Sequence, residues 1–169
     1  MIETILRDLR QPEYIHTLIN PLPIYGLTVA LLGLVVALFM RSRRGQIIAL
    51  VLVFVTASSA WPAAYFGEEA YDRVLSMADE TGQAWLEEHA RRADDLVLIF
   101  YALAAVSAMA IVVPRKWPRT ALPLTLATVA LALCSLGAGG YIAYAGGKIR
   151  HREFRNAAPP PRKAEAEPR

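Results

Sequence analysis

Cysteine is almost missing from this 169-residue chain, where Cys134 stands alone. No internal disulfide can form. Neither CxxC nor CxxCH occurs, which excludes thiolate zinc sites and covalent haem attachment. No HExxH and no Ser-His-acid arrangement is present, so hydrolytic chemistry has no candidate residues. The opening "MIETILRDLR" has acids early and no basic region ahead of an apolar stretch, so it is not expected to be a signal peptide. Charge is absent from four long stretches, 22–40, 46–66, 96–113 and 122–144. Without charges inside them there is no proton relay or ion path through their centre. No inverted repeat and no interrupted, charged helix suggests a transporter.

What is present is apolar length. The chain is 55% hydrophobic with a mean hydropathy of +0.33. Each uncharged stretch can cross roughly 30 Å of hydrocarbon as a helix. A soluble helix would need a polar face, and none of the four has one. The expected fold is therefore all-α: a polytopic membrane protein, a bundle of four transmembrane helices forming a single domain over residues 1–155. Ile2, Ile5, Leu6 and Leu9 fall on one face of a short amphipathic helix that Pro12 would end. Residues 156–169, "NAAPPPRKAEAEPR", are too polar and Pro-rich to order themselves.

Charge sets the orientation. The first and third connections, "RSRRGQ" and "PRKWPRT", carry three cations each and no acid, while residues 67–95 carry nine acids and three cations. The positive-inside rule then puts the second loop and both termini on the outer, periplasmic side of a bacterial inner membrane. The basic tail, with Lys148, Arg150, Arg152 and Arg155, pulls the other way.

Finer features follow. Pro62 should kink the second span. Trp61, Tyr65, Phe66, Tyr14 and Tyr25 would form an interfacial belt. Gly26, Ala30 and Gly33 on the first span, and Gly139, Ala143 and Gly147 on the last, are stripes that let helices approach. Thr81 would cap a helix in the outer loop. Glu69–Arg73, Glu87–Arg91 and Glu88–Arg92 have i,i+4 spacing. His89 falls on that helix's apolar face, with Trp85, Leu86, Ala93 and Leu96, and should point inward.

The chain has three histidines, His16, His89 and His151. With four spans all three fall on one membrane face, together with Glu68 and Glu69. Imidazole suits Zn, Cu, Fe and Ni, and a carboxylate can complete a mixed set. Two histidines can instead hold haem b as axial ligands. The plainer reading is that interfacial histidines hydrogen-bond helix ends and headgroups, and that the acids are solvated helix-end charges. Two functions follow: a redox-related or metal-handling membrane protein, or an accessory subunit docking on a membrane partner or a second copy of itself. The lipid bilayer is an expected partner and nucleic acid is not.

"HTLINPLPIYG", "GEEAYDRV" with "LEEHARRAD", and "GGKIRHREFR" resemble landmarks of an uncharacterised group of bacterial four-helix inner-membrane proteins, the domain-of-unknown-function group numbered twenty-two thirty-one. The resemblance covers most of residues 14–155. It implies landmark roles for His16, Asn20, Glu68 or Glu69, His89, Gly146, Gly147, Arg150, His151 and Glu153. Pro21 and Ala90 depart from that pattern where relatives carry a histidine and a glutamate. The resemblance implies no activity.

Overall fold

A computed structural model describes residues 2–159. Helix accounts for most of them, and no strand occurs among the described residues. Four helical stretches, Pro12–Phe39, Arg43–Met77, Glu80–Arg115 and Pro118–Arg150, are long and apolar enough to cross a membrane. Three contain one of the uncharged segments whole, and the first covers 22–39 of its segment; all four start before theirs.

The first stretch starts ten residues before the expected span. Helix α1 is Ile2–Asp8, and a second short helix, α2, follows at Pro12–Ile19. Pro12 thus opens a helix as well as ending one, because a proline in the first turn lacks only an N–H that has no helical partner. Pro21 and Pro23 then interrupt the ladder. The chain crosses them with one π-turn, Leu22–Gly26, closed by the Leu27 N–H reaching the Leu22 carbonyl five residues back, while Tyr25 N–H bonds the Pro21 carbonyl at 2.8 Å. Helix α3, Leu27–Phe39, continues from it.

The second stretch is broken, as Pro62 implies, but the break comes three residues earlier. Helix α4 is Arg43–Ser58 and α5 is Ala60–Met77. A proline leaves the carbonyl four residues back without its donor and crowds it, and that carbonyl belongs to Ser58. Ser59 Oγ donates to the Thr56 carbonyl at 2.6 Å beside the break.

Helix α6, Glu80–Val112, runs unbroken from the loop through the third span. Its cap is Asp79, not Thr81: the Asp79 carboxylate accepts the Gly82 N–H at 2.8 Å. Asp79 stands three residues before that N–H, the reach a capping side chain needs. Helix α7 is Ala121–Arg150.

α6 packs along α7, α4 lies on α3 and α6, and α2 lies on α5. Leu27, Leu34, Leu50, Val53 and Leu103 are fully buried between them, with alanines filling the closer approaches. The small-residue stripes work in part. Gly26 meets Thr56, and Gly139 meets Ile24 and Phe100, while a Cβ at Gly137 or Gly140 would touch nothing. Buried Ser107, Thr125, Thr128 and Ser135 donate to carbonyls three or four residues back, so each hydroxyl is satisfied on its own helix. Leu32, Phe39, Ile48, Leu98 and Leu133 face outward, as lipid-contacting side chains would.

Helix α2 and the segment after α7 tie onto α5 and onto the turn that follows it. Arg73 pairs with Glu13 of α2 at 2.9 Å, not with Glu69. After α7, Arg155 folds back so that Nη1 meets both Asp79 oxygens at 2.9 Å, and it also donates to the Lys148 and Ile149 carbonyls. Arg152 adds a contact to Asp79 at 3.0 Å. The Arg155 hydrogen bond, then the Gly82 N–H, hold the Asp79 carboxyl below the usual range. A depressed carboxyl pKa contributes stability above its unfolded value that is lost as pH falls through the folded one. The tie should therefore hold at neutral and mildly acid pH and open only in stronger acid. Asp79→Asn should open it at pH 7, read as new proteolytic cleavage beside Arg155. Equal protection of both proteins would refute this. Residues 156–159 carry no regular element, and residues 160–169 of the expected tail lie outside the described residues.

Candidate functional site: two histidines in matching notches

His16 sits in the middle of α2 and His89 near the start of α6, ahead of its uncharged segment. The fold brings them together, with ring centroids 6.4 Å apart and planes at 82°. Each ring docks against a neighbouring helix in the same way. His16 Nδ1 lies 2.8 Å from the Ala63 carbonyl on α5, and His89 Nδ1 lies 3.0 Å from the Ile142 carbonyl on α7. Four residues after each acceptor comes a glycine. A Cβ at Gly67 would stand 3.0 Å from His16 Nδ1 and Cε1, and a Cβ at Gly146 would stand 3.0 Å from His89 Nδ1 and 3.1 Å from its Cε1. A side chain at either place would crowd the ring that lies against it.

A carbonyl only accepts, so Nδ1 carries the proton in both rings. In the neutral imidazole this leaves Nε2 with its lone pair free to bind. Metal-ligating histidines are commonly held this way, with the distal N–H on a carbonyl that fixes tautomer and ring plane.

Both rings border a cleft of about 960 Å³ between α2, α5, α6 and α7. A smaller pocket of about 70 Å³ shares His16 and His89 with it and leads inward toward Ile24, Val97 and Phe100. Asn20 borders both. Glu68 and Arg150 line the cleft, but Glu69 is not among its walls.

His151 does not join the pair. α7 ends at Arg150, and beyond it the His151 ring lies exposed, 2.9 Å from Glu153 and stacked on Phe154. No group of three His, Cys, Asp or Glu side chains gathers to hold a metal ion among the described residues. Gly146 makes room for His89, and a Cβ at Gly147 would meet only Phe154, at 3.9 Å.

A second set of side chains clasps α6 to α7 beside the cleft. Arg92 is buried. Its Nε donates to Glu88 at 2.7 Å, its Nη1 to the Tyr141 carbonyl at 2.7 Å, and its guanidinium lies 3.7 Å from the Tyr141 ring centroid. The expected Glu88–Arg92 pair is thus present. Arg91 binds Glu88 and Asp95. Lys148 is also buried, with its ammonium over the Trp85 and Tyr144 rings and 2.7 Å from the Tyr144 hydroxyl. Sequence reasoning singled out neither cation for this role. It also passed over Gly67 and the carbonyls of Ala63 and Ile142, and only the glycine in "YFGEE" carried any signal.

No family model, curated protein or solved structure matches the chain.

Proposed function

We propose that this is a four-helix inner-membrane protein that binds a transition-metal centre, as haem iron or as an ion, through His16 and His89 on its outer face. Its role would be redox-related or metal-handling. One observation carries the reading: both imidazoles are pinned through Nδ1–H to backbone carbonyls, over glycines that leave room for them. That arrangement leaves Nε2 as the acceptor nitrogen of two neutral rings that border a cleft. The outer-face assignment rests on the basic connections at the opposite end, and kinship with the domain-of-unknown-function group belongs to the same proposal.

Elemental analysis and an absorption spectrum of the detergent-purified protein test it. A stoichiometric metal is expected, falling in His16→Ala and His89→Ala and unchanged in His151→Ala. A folded protein that stays metal-free after incubation with iron, copper, zinc and hemin would refute the site and favour the accessory-subunit role.

A further inference from the structure

We infer that the metal is the iron of a non-covalently held haem b, coordinated axially by His16 and His89 with their ring planes near perpendicular. This rests on the two-imidazole reading above and names its ligand.

Donor count comes first. Proteins hold a bare zinc ion with three or four side chains. Here two imidazoles meet, and no third His, Cys, Asp or Glu gathers with them among the described residues. A haem brings four equatorial nitrogens of its own and asks the protein only for axial ligands. Two histidines are a complete set for haem and an incomplete one for an ion.

Spacing agrees. Imidazole nitrogens bind first-row metals at about 2.0–2.1 Å, and the ring centre lies roughly 1.1 Å behind the nitrogen, so two rings in trans have centroids about 6.3 Å apart. The observed separation is 6.4 Å. The centroid separation is thus that of two imidazoles sharing one metal.

Space agrees as well. Cofactor pockets run to roughly 300–1,000 Å³ and are mostly apolar with a few polar groups. The cleft of about 960 Å³ lies in that range, and Trp61, Tyr65 and Tyr101 are among its walls. The inner pocket by Val97 and Phe100 is apolar and reaches toward the core. Absence of CxxCH makes attachment non-covalent. The group would supply one-electron chemistry at this face. The chain's own residues fix the axial planes: Ala63 and Gly67 set one ring, Ile142 and Gly146 the other.

The angle gives a signature. Axial planes at 82° leave two iron d orbitals nearly degenerate, so the ferric low-spin centre should show one large, isolated g value in place of a three-line rhombic spectrum. The full chain is expressed with added haem precursor, purified in detergent, and measured by pyridine haemochromogen assay and electron paramagnetic resonance. Stoichiometric haem b with the single large g value is expected. His16→Gly and His89→Gly should each lose the low-spin signal and regain it with added imidazole, which separates ligand loss from misfolding. Metal without porphyrin, lost on histidine substitution, would overturn the haem inference and leave the two-imidazole site standing. Haem that stays low-spin in both glycine variants, or a rhombic spectrum, would overturn the axial assignment. A folded protein with neither metal nor haem would overturn both.

Discussion

Alanine at both notch glycines, Gly67→Ala with Gly146→Ala, is expected to weaken metal or haem binding by two to three orders of magnitude without unfolding the protein. Each added methyl would stand 3.0 Å from an imidazole, closer than ordinary van der Waals contact. The rings must shift by a few tenths of an ångström, so the Nδ1 hydrogen bonds of 2.8 and 3.0 Å lengthen and the ring planes turn. Losing the partner that orients a metal-bound histidine lowers affinity about 10–100-fold per site. Both glycines lie inside helices, where alanine is favoured over glycine by about 1 kcal/mol. The ligand-free double variant should therefore melt no lower than the wild type. Titration calorimetry or spectral titration checks the affinity, and thermal melting of the ligand-free protein checks the fold. Wild-type affinity in the double variant would show that the notches do not position ligands.

The second large effect is on stability. Glu88→Ala removes the carboxylate that Arg91 and Arg92 share. Arg92 is buried and would keep only the Tyr141 carbonyl and ring. Removing one partner of a buried pair costs about 3–5 kcal/mol. Glu88 also pairs with exposed Arg91, whose contact is screened by water, so about 2–3 kcal/mol is the better expectation. For a chain of this size that lowers the melting temperature by roughly 5–10 °C. Arg91→Ala should change it by less than about 0.5 kcal/mol. Equal melting of the Glu88 variant and the wild type in detergent would show that the clasp is dispensable.

The apolar stretches were legible because hydrocarbon length is written directly in composition. The effect of Pro62 was legible too, although it acts on the carbonyl of Ser58 and so breaks the helix earlier. His89 could be placed inward because the period of a helix assigns faces. His16 could be placed at the correct end of the molecule, but not next to His89. That meeting depends on the π-turn across Pro21 and Pro23 and on the tilt of α5 after Ser59, and neither angle is encoded in residue spacing. The same limit explains His151. Counting spans puts it at the right end, but the backbone after Arg150 is steered by Arg155 reaching Asp79, 76 residues away. The notches were hidden for another reason. Their acceptors are main-chain oxygens, which every residue has, and only the glycine beside each marks the place.

The two notches lie on different pairs of helices. His16 and its carbonyl belong to α2 and α5, His89 and its carbonyl to α6 and α7. Anything that bonds both imidazoles is therefore a crossbar between two halves that touch each other less than each touches within itself. Filling the cleft would set the width of the gap between those halves. Occupancy would then be legible from outside as a change of shape at that end of the molecule.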